Sequence, residues 1–255
     1  MREEKMGNPV LSEKVFKTAS ATSYEDSMTV KGTALKSLVL VFMVLAGASY
    51  TWKVFNDTLN PASVTPWMWG GIIGGLITAL IINFKPHLAQ YLSPVYAVLQ
   101  GLFLGAISAM YNNAFAATAP GIVMNATLLT IVTALVMFLV YRLNIIKVNG
   151  KFARIMMIAI GAIGFYYLVS IILGMFGVNL TMLHNGSPLS IGISVVIVIV
   201  AAFSLLMDFE FITKASESGA PKYMEWYGAF ALMVTLIWLY IEILRLLSKV
   251  ASNRQ

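Results

Sequence analysis

Two acidic side chains lie within the last two strongly apolar segments of this chain. Asp208 stands near the end of one segment, and Glu242 lies deep in the final segment between two isoleucines. An ionised side chain inside a bilayer costs about 2.5–3.5 kcal/mol on insertion scales, so such residues face a protein interior, a partner or an aqueous path. Cations and protons are the ligands that carboxylates of this kind bind, so a site on an ion or proton path is the first hypothesis.

A pair formed by Asp208 and Glu242 would have specific chemistry. Two carboxylates in low-dielectric surroundings do not both ionise cheaply, so they would share a proton and titrate as a unit. Carboxylate oxygens are also hard ligands that suit calcium, which makes the pair a candidate calcium site. Loss of the shared proton would make the two carboxylates repel each other or admit a cation. The pair therefore predicts a pH-gated cation path.

Each acid also has a structural interpretation. Asp208 could form an interfacial cap with Glu210, in contact with water, and Glu242 could pair with Arg245 three residues later. Glu225 opens the final segment, where the helix dipole and an aromatic belt favour a structural role. At about 1.5 Å per residue, Glu242 lies about 25 Å along its helix from Glu225, which places it nearer the opposite side of the membrane than Asp208.

The composition indicates a membrane protein. Apolar residues make up 59% of the chain and charged residues 11%, and the mean hydropathy is +0.82, whereas a soluble domain has about 25% charged residues. The absence of cysteine excludes disulfides and thiolate chemistry. The net charge of +6 lies in loops and tails between apolar segments, which is typical of a membrane protein and argues against nucleic acid as a partner.

Seven segments are long and apolar enough to cross a bilayer core of about 30 Å, which takes about 20 helical residues. The fold class is therefore an all-α integral membrane protein, with a polar N-terminal tail (1–33), one compact seven-helix bundle (34–248) and a short C-terminal tail (249–255). Its lipid-facing partner is the bilayer itself. The predicted spans are Ala34–Val54, Pro66–Phe84, Pro94–Ala116, Pro120–Tyr141, Phe152–Phe176, Leu189–Ile212 and Tyr223–Leu247.

The distribution of Lys and Arg predicts the orientation. Loops after the second, fourth and sixth spans carry basic residues, and the alternate loops near 55–65, 112–119 and 177–188 carry none. This pattern predicts a cytoplasmic N-terminus without a signal peptide. Lys249 and Arg254 would then follow the last span on the outer side, against the rule, so six spans with a re-entrant last segment is the alternative.

Glycine-rich stretches at 70–75, 101–105 and 161–164 predict close helix packing within the monomer, with a dimer interface as the alternative.

Enzymatic motifs are absent, because the chain has no GxSxG, no Walker loop and no HExxH. We therefore expect no enzymatic activity and no cofactor. The two histidines, His87 and His184, fall in loops, where each is most simply a solvated residue and a pH sensor is the alternative. A zinc hydrolase built from both histidines, Asp208 and Glu242 is disfavoured because the histidines lie on opposite sides of the membrane in the predicted topology.

Seven motifs carry a family resemblance. The last two spans contain MDFEFI at 207–212, EWYGAF at 225–230 and WLYIEILRLL at 238–247. Earlier in the chain stand NPVL at 8–11, MTVKG at 28–32, SPVYA at 93–97 and GLFLGAIS at 101–108. Together they resemble the bacterial branch of the Bax inhibitor-1 family over nearly the whole chain, most specifically at the C-terminal end.

The resemblance implies a seven-helix bundle whose last helix is central and surrounded by the other six. It implies a pH-sensitive calcium leak in the bacterial inner membrane, with calcium as the transported ion. The family's sensor is a pair of aspartates on the sixth and seventh helices; Asp208 matches the first, and Glu242 stands where relatives have the second. A basic residue that ends the second helix latches the pair in some relatives, and Lys85 is the nearest candidate.

The alternative function is an interaction protein that modulates a membrane protease or a stress response without ion transport. Some bacterial relatives resemble this description. The polar N-terminal tail would then be the docking element for the membrane-protein partner.

Overall fold

The computed structural model describes residues 27–176 and 186–253. In this part of the chain, seven helices are long and apolar enough to cross a membrane, which confirms the predicted fold class. They are α1 (Val30–Thr58), α2 (Pro61–Phe84), α3 (Ala89–Ala114), α4 (Ile122–Arg142), α5 (Gly150–Met175), α6 (Pro188–Glu217) and α7 (Met224–Ser252). The tail residues 1–26, His184, Arg254 and Gln255 lie outside the described residues.

Local capping sets several helix boundaries. The Thr29 side chain accepts a hydrogen bond from the Gly32 N–H at the start of α1, and Asn60 and Asn149 cap α2 and α5 in the same way. These side chains satisfy backbone donors that the first helical turn leaves free. Leu59, with φ of 50°, ends α1 in the left-handed region and turns the chain directly into α2.

Most predicted helices are shorter than the structure shows, and the two predicted tail boundaries are the clearest cases. Helix α1 begins at Val30, and α7 continues to Ser252, so the predicted tail boundaries at 33 and 249 both fall inside helices. The physical reason is that polar residues in the end turns are held by neighbouring helices, which an apolar-length criterion does not register. Lys249 is the clearest case, because its ammonium donates a hydrogen bond to Ser194 of α6 at 2.6 Å.

The bundle has two ends, which we name by their elements. The near end is where α1 begins and α6 meets α7; there the Met28 N–H donates to the Ala220 carbonyl at 2.7 Å. The far end is where α6 begins and α7 ends; there Gly186 lies beside Asn253. Consecutive helices run in opposite directions between these ends, so the α2–α3 and α4–α5 connections also lie at the near end.

The last helix is central, as predicted. Its main neighbours are α1, α3, α4 and α6, while α2 packs mainly on α3 and α5 on α6. The resemblance implies six helices around the last one. In the structure four helices pack against α7, and α2 and α5 lie outside these four. Helix α5 is the most peripheral, since Met156 is its one buried residue. A crevice of about 700 Å³ separates α1 from α4.

Close approach of helices depends on glycine at defined positions. A Cβ on Gly105 of α3 would lie 2.2 Å from the Ala48 carbonyl oxygen of α1, and Gly101 is equally constrained. The packing prediction is therefore confirmed for α3. It is wrong for the glycines at 161 and 164 of α5, where an added Cβ meets nothing within 4 Å.

Candidate functional site

Asp208 lies in the near half of α6 and faces α7. Its carboxylate lies near the Thr235 side chain of α7, whose hydroxyl donates a hydrogen bond to the Ala231 carbonyl at 3.4 Å. Oδ2 is buried and has no hydrogen-bond partner, although the residue as a whole is partly exposed. Among the described residues this is the one buried carboxylate oxygen without a partner. An unsatisfied buried oxygen requires an explanation, and a bound proton, ion or water supplies one.

Glu242 is enclosed by donors in the far half of α7. It is 1% exposed. Its Oε1 accepts hydrogen bonds from the Tyr167 hydroxyl at 2.8 Å, from the Trp238 indole N–H at 3.2 Å and from the Arg245 guanidinium at 3.2 Å. Arg245 also lies over the Tyr167 ring, 5.0 Å from its centroid. The local pairing of Glu242 with Arg245 is therefore present.

The two acids are not in contact. Within the described part of the chain, no hydrogen bond or ion pair joins Asp208 to Glu242. Asp208 lies level with Thr235, and seven residues separate Thr235 from Glu242 along α7, or about 10 Å of helix. The antiparallel register of α6 and α7 thus places the acids in different halves of the bundle. It does not bring them together as one calcium site.

The remaining candidate residues lie at the near end. Glu210 accepts a hydrogen bond from the Tyr141 hydroxyl at 3.1 Å and forms an ion pair with Lys214 at 2.8 Å. Lys85 ends α2 and is exposed, and no ion pair links it to either acid of the proposed pair. His87 is exposed in a short 3-10 turn after α2.

Glu225 is the most completely bound acid. It is 0% exposed although it stands in the first turn of α7. Its carboxylate pairs with Lys36 of α1 and with Lys222 at 3.1 Å. It also accepts hydrogen bonds from the Thr29 N–H at 2.9 Å and the Thr29 hydroxyl at 2.8 Å.

These contacts join the beginnings of α1 and α7. A carboxylate is stabilised at a helix N-terminus by the helix dipole, and Glu225 serves two such termini at once. The fit is tight, since a Cβ on Gly32 would lie 2.1 Å from Glu225 Oε1. The arrangement corresponds to the structural role that the sequence favours for Glu225.

Comparison with family models identifies the family to which this chain belongs. The family model described as Bax inhibitor 1 like matches residues 8–252. The chain belongs to the Bax inhibitor-1-like family. The match spans all seven helices and confirms the resemblance seen in the motifs. Searches of curated proteins and of solved structures find no match.

Sequence reasoning missed three side chains of this Bax inhibitor-1-like protein. Lys36 is the partner of a buried acid, Tyr167 binds both members of the Glu242–Arg245 pair, and Lys249 is 5% exposed. Lys36 had a detectable signal, because a basic residue inside a predicted span requires a partner. Tyr167 had none, since a hydroxyl in an apolar segment is compatible with many surroundings.

No metal-binding group is found among the described residues of this family member. In residues 27–176 and 186–253, no three His, Asp or Glu side chains come together as possible ligands. His87 is exposed at the near end, away from Glu242 in the far half.

The bound state of Glu225 predicts a stability effect. We expect Glu225→Gln to reduce the free energy of unfolding by about 3 kcal/mol, because it removes the buried carboxylate that pairs with Lys222 and leaves the partly buried Lys36 without its counter-charge. The measurement is thermal unfolding of the purified protein in mild detergent. Glu210→Gln is the matched control, since its partner Lys214 is largely exposed, and we expect about 1 kcal/mol or less. Equal effects of the two substitutions would contradict the role assigned to Glu225.

Proposed function

We propose that this protein is a pH-sensitive calcium (cation) leak channel of the Bax inhibitor-1 type, with Asp208 as its proton-responsive group. Membership of the Bax inhibitor-1-like family supports the general activity. The observation that carries the proposal is the buried, unpartnered Oδ2 of Asp208 at the α6–α7 interface. The proposed activity is transport, with calcium as cargo and without chemical conversion.

Asp208 differs from the other candidate acids in its electrostatic surroundings. Glu210, Glu225 and Glu242 each have a cationic partner, whereas no cationic side chain pairs with Asp208 among the described residues. An ionised carboxylate without a counter-charge costs free energy in apolar surroundings, and a bound proton removes that cost. A change in proton occupancy at Asp208 therefore changes the charge of the interface without displacing a bound side chain.

The proposed gate follows from these two charge states. Protonated Asp208 is neutral, so the α6–α7 interface contains no site for a cation. Deprotonated Asp208 needs a counter-charge, and a calcium ion supplies it. The carboxylate and water provide the hard oxygen ligands that calcium prefers. Flux through the protein should therefore increase as pH rises.

Glu242 has a different part in this proposal. Its charge is already compensated by Arg245, so a cation that passes the far half must compete with the guanidinium for the carboxylate. The two acids then act one after the other along the path, and no shared proton is needed.

Calcium efflux from liposomes tests the proposal. For the reconstituted wild-type protein we expect efflux to rise with pH, because loss of the proton from Asp208 leaves a carboxylate that needs a counter-charge. Asp208→Asn should give low efflux without pH dependence, because the amide stays neutral. Glu242→Gln should change the rate and keep the pH dependence.

Glu210→Gln is the control for loss of an acid near Asp208, and it should retain both rate and pH dependence. Persistent pH-dependent efflux in Asp208→Asn would overturn the assignment of the sensor. Absence of efflux in the wild-type protein would overturn the leak and favour an interaction protein.

We also propose that the near end faces the cytoplasm of a bacterial cell and that the N-terminus is cytoplasmic. The near-end connections contain basic residues, whereas the far-end connections 59–60 and 115–121 contain no Lys or Arg. Positive charge is retained on the cytoplasmic side during insertion.

Single cysteines test this orientation on a chain that has none of its own. We expect Ala117→Cys, in a far-end connection, to react with a membrane-impermeant maleimide on intact cells. Ser218→Cys, at the near end, should react only after permeabilisation. The reverse labelling pattern would contradict the orientation.

A further inference from the structure

Lys249 is a buried cation whose positive charge has no anionic partner among the described residues. Its Nζ donates a hydrogen bond to the Ser194 hydroxyl, and no carboxylate lies within ion-pair distance in the described part of the chain. Glu242, the nearest acid along α7, is held by Arg245. The segment 177–185 contains no Asp or Glu in its sequence. A buried ammonium normally has an anionic partner, so an anion from outside the chain is the simplest complement.

Ser190 provides an independent indication at the same place. It is 0% exposed in the first turn of α6, and its Oγ has no hydrogen-bond partner. Ser190 and Ser194 are four residues apart, so they lie on one face of α6, the face that Lys249 contacts. The start of α6 adds the positive end of a helix dipole. Two buried donors, Lys249 Nζ and Ser190 Oγ, thus lie at the far end, one near the end of α7 and the other in the first turn of α6, where one anion would satisfy them.

An apolar groove lies along a neighbouring face of the same part of α6. It has a volume of about 560 Å³ and lies between α5 and α6, lined by Ala162, Tyr166, Leu189, Gly192, Ile193 and Val196 among others. It starts in the first turn of α6, where Ser190 also lies, and follows the helix toward the middle of the bundle. Because the groove runs between two membrane-spanning helices, its occupant comes from the lipid phase.

The depth of Lys249 fits a lipid headgroup. Lys249 lies about 37 Å along α7 from Met224. The hydrocarbon core of a bilayer is about 30 Å thick. With the near end at one membrane surface, the ammonium reaches the level of the phosphates in the opposite leaflet, while the groove extends back into the hydrocarbon.

We propose that the far end binds one anionic phospholipid. Its phosphate accepts hydrogen bonds from Lys249 and Ser190, and one acyl chain occupies the groove between α5 and α6. The site lies outside the proposed gate at Asp208, so it goes beyond the proposed leak and stands or fails separately from it. Bound lipid would also support α5, which packs mainly against α6 and reaches α7 through Tyr167.

Native mass spectrometry of the full chain in detergent tests the site. The probes are phosphatidylglycerol, phosphatidylcholine with the same acyl chains, and inorganic phosphate. We expect phosphatidylglycerol to bind at least tenfold more tightly than phosphatidylcholine. Lys249→Gln should reduce the affinity for phosphatidylglycerol by roughly tenfold, the effect of losing one charge-assisted hydrogen bond.

A second variant tests the groove. Gly192→Leu should weaken the binding of both lipids, because a Cβ at Gly192 meets nothing within 4 Å and the larger side chain fills the groove. Gly164→Leu is the matched control on α5, and Lys214→Gln is the control for loss of an exposed lysine at the near end. We expect both controls to bind phosphatidylglycerol as the wild-type protein does.

Three results would overturn the proposal. Equal affinity for the two lipids would contradict the preference for an anionic headgroup at Lys249. Lipid binding that is insensitive to Gly192→Leu would contradict the placement of an acyl chain in the groove. Binding of inorganic phosphate as tightly as phosphatidylglycerol would make the cluster a site for a free anion. If Lys249→Gln does not yield folded protein, Lys249→Arg should keep the lipid preference and Gly192→Leu still tests the groove.

Discussion

Compensation of charge inside an apolar bundle is the constraint on which this structure depends. The central helix α7 carries two acids and two bases, and a charge buried between membrane spans must be paired or reach water. Glu225 meets Lys36 and Lys222, and Glu242 meets Arg245. Asp208, on the neighbouring helix α6, has a carboxylate oxygen with no partner at all. The acid left outside the compensation scheme is therefore the one assigned to proton sensing.

The same pairs hold the helices in position. In lipid there is no hydrophobic driving force between helices, so close packing and polar contacts decide their arrangement. Glu225 fixes the start of α1 to the start of α7, and Tyr167 brings the peripheral helix α5 to Glu242. Lys249 joins the end of α7 to α6 through Ser194. The contacts of Glu225 and Tyr167 link elements that are not consecutive in sequence, the contact of Lys249 links two consecutive helices, and the glycines of α3 provide the close approach to α1.

Much of the architecture could be predicted from the sequence because membrane spans have a local signal. Segment length and hydropathy located all seven helices, and the motifs of the last two spans indicated the family. The register between α6 and α7 had only an indirect signal, the helix rise that places Glu242 nearer the opposite side of the membrane than Asp208. The hypothesis of an Asp208–Glu242 pair requires the two acids to meet, and among the described residues no hydrogen bond or ion pair joins them. Lys36 and Lys249 were underestimated for a related reason, because their partners lie on other helices.

In the proposed account, the two acids have different surroundings along one bundle. Glu242 is paired with the guanidinium of Arg245, while the charge of Asp208 would follow the proton concentration. The most direct measurement is infrared difference spectroscopy of the membrane-reconstituted protein, which detects the C=O stretch of a protonated buried carboxylic acid as pH changes. The account predicts a pH-dependent band that disappears in Asp208→Asn and remains in Glu242→Gln. A band that survives in Asp208→Asn, or disappears in Glu242→Gln, would contradict it.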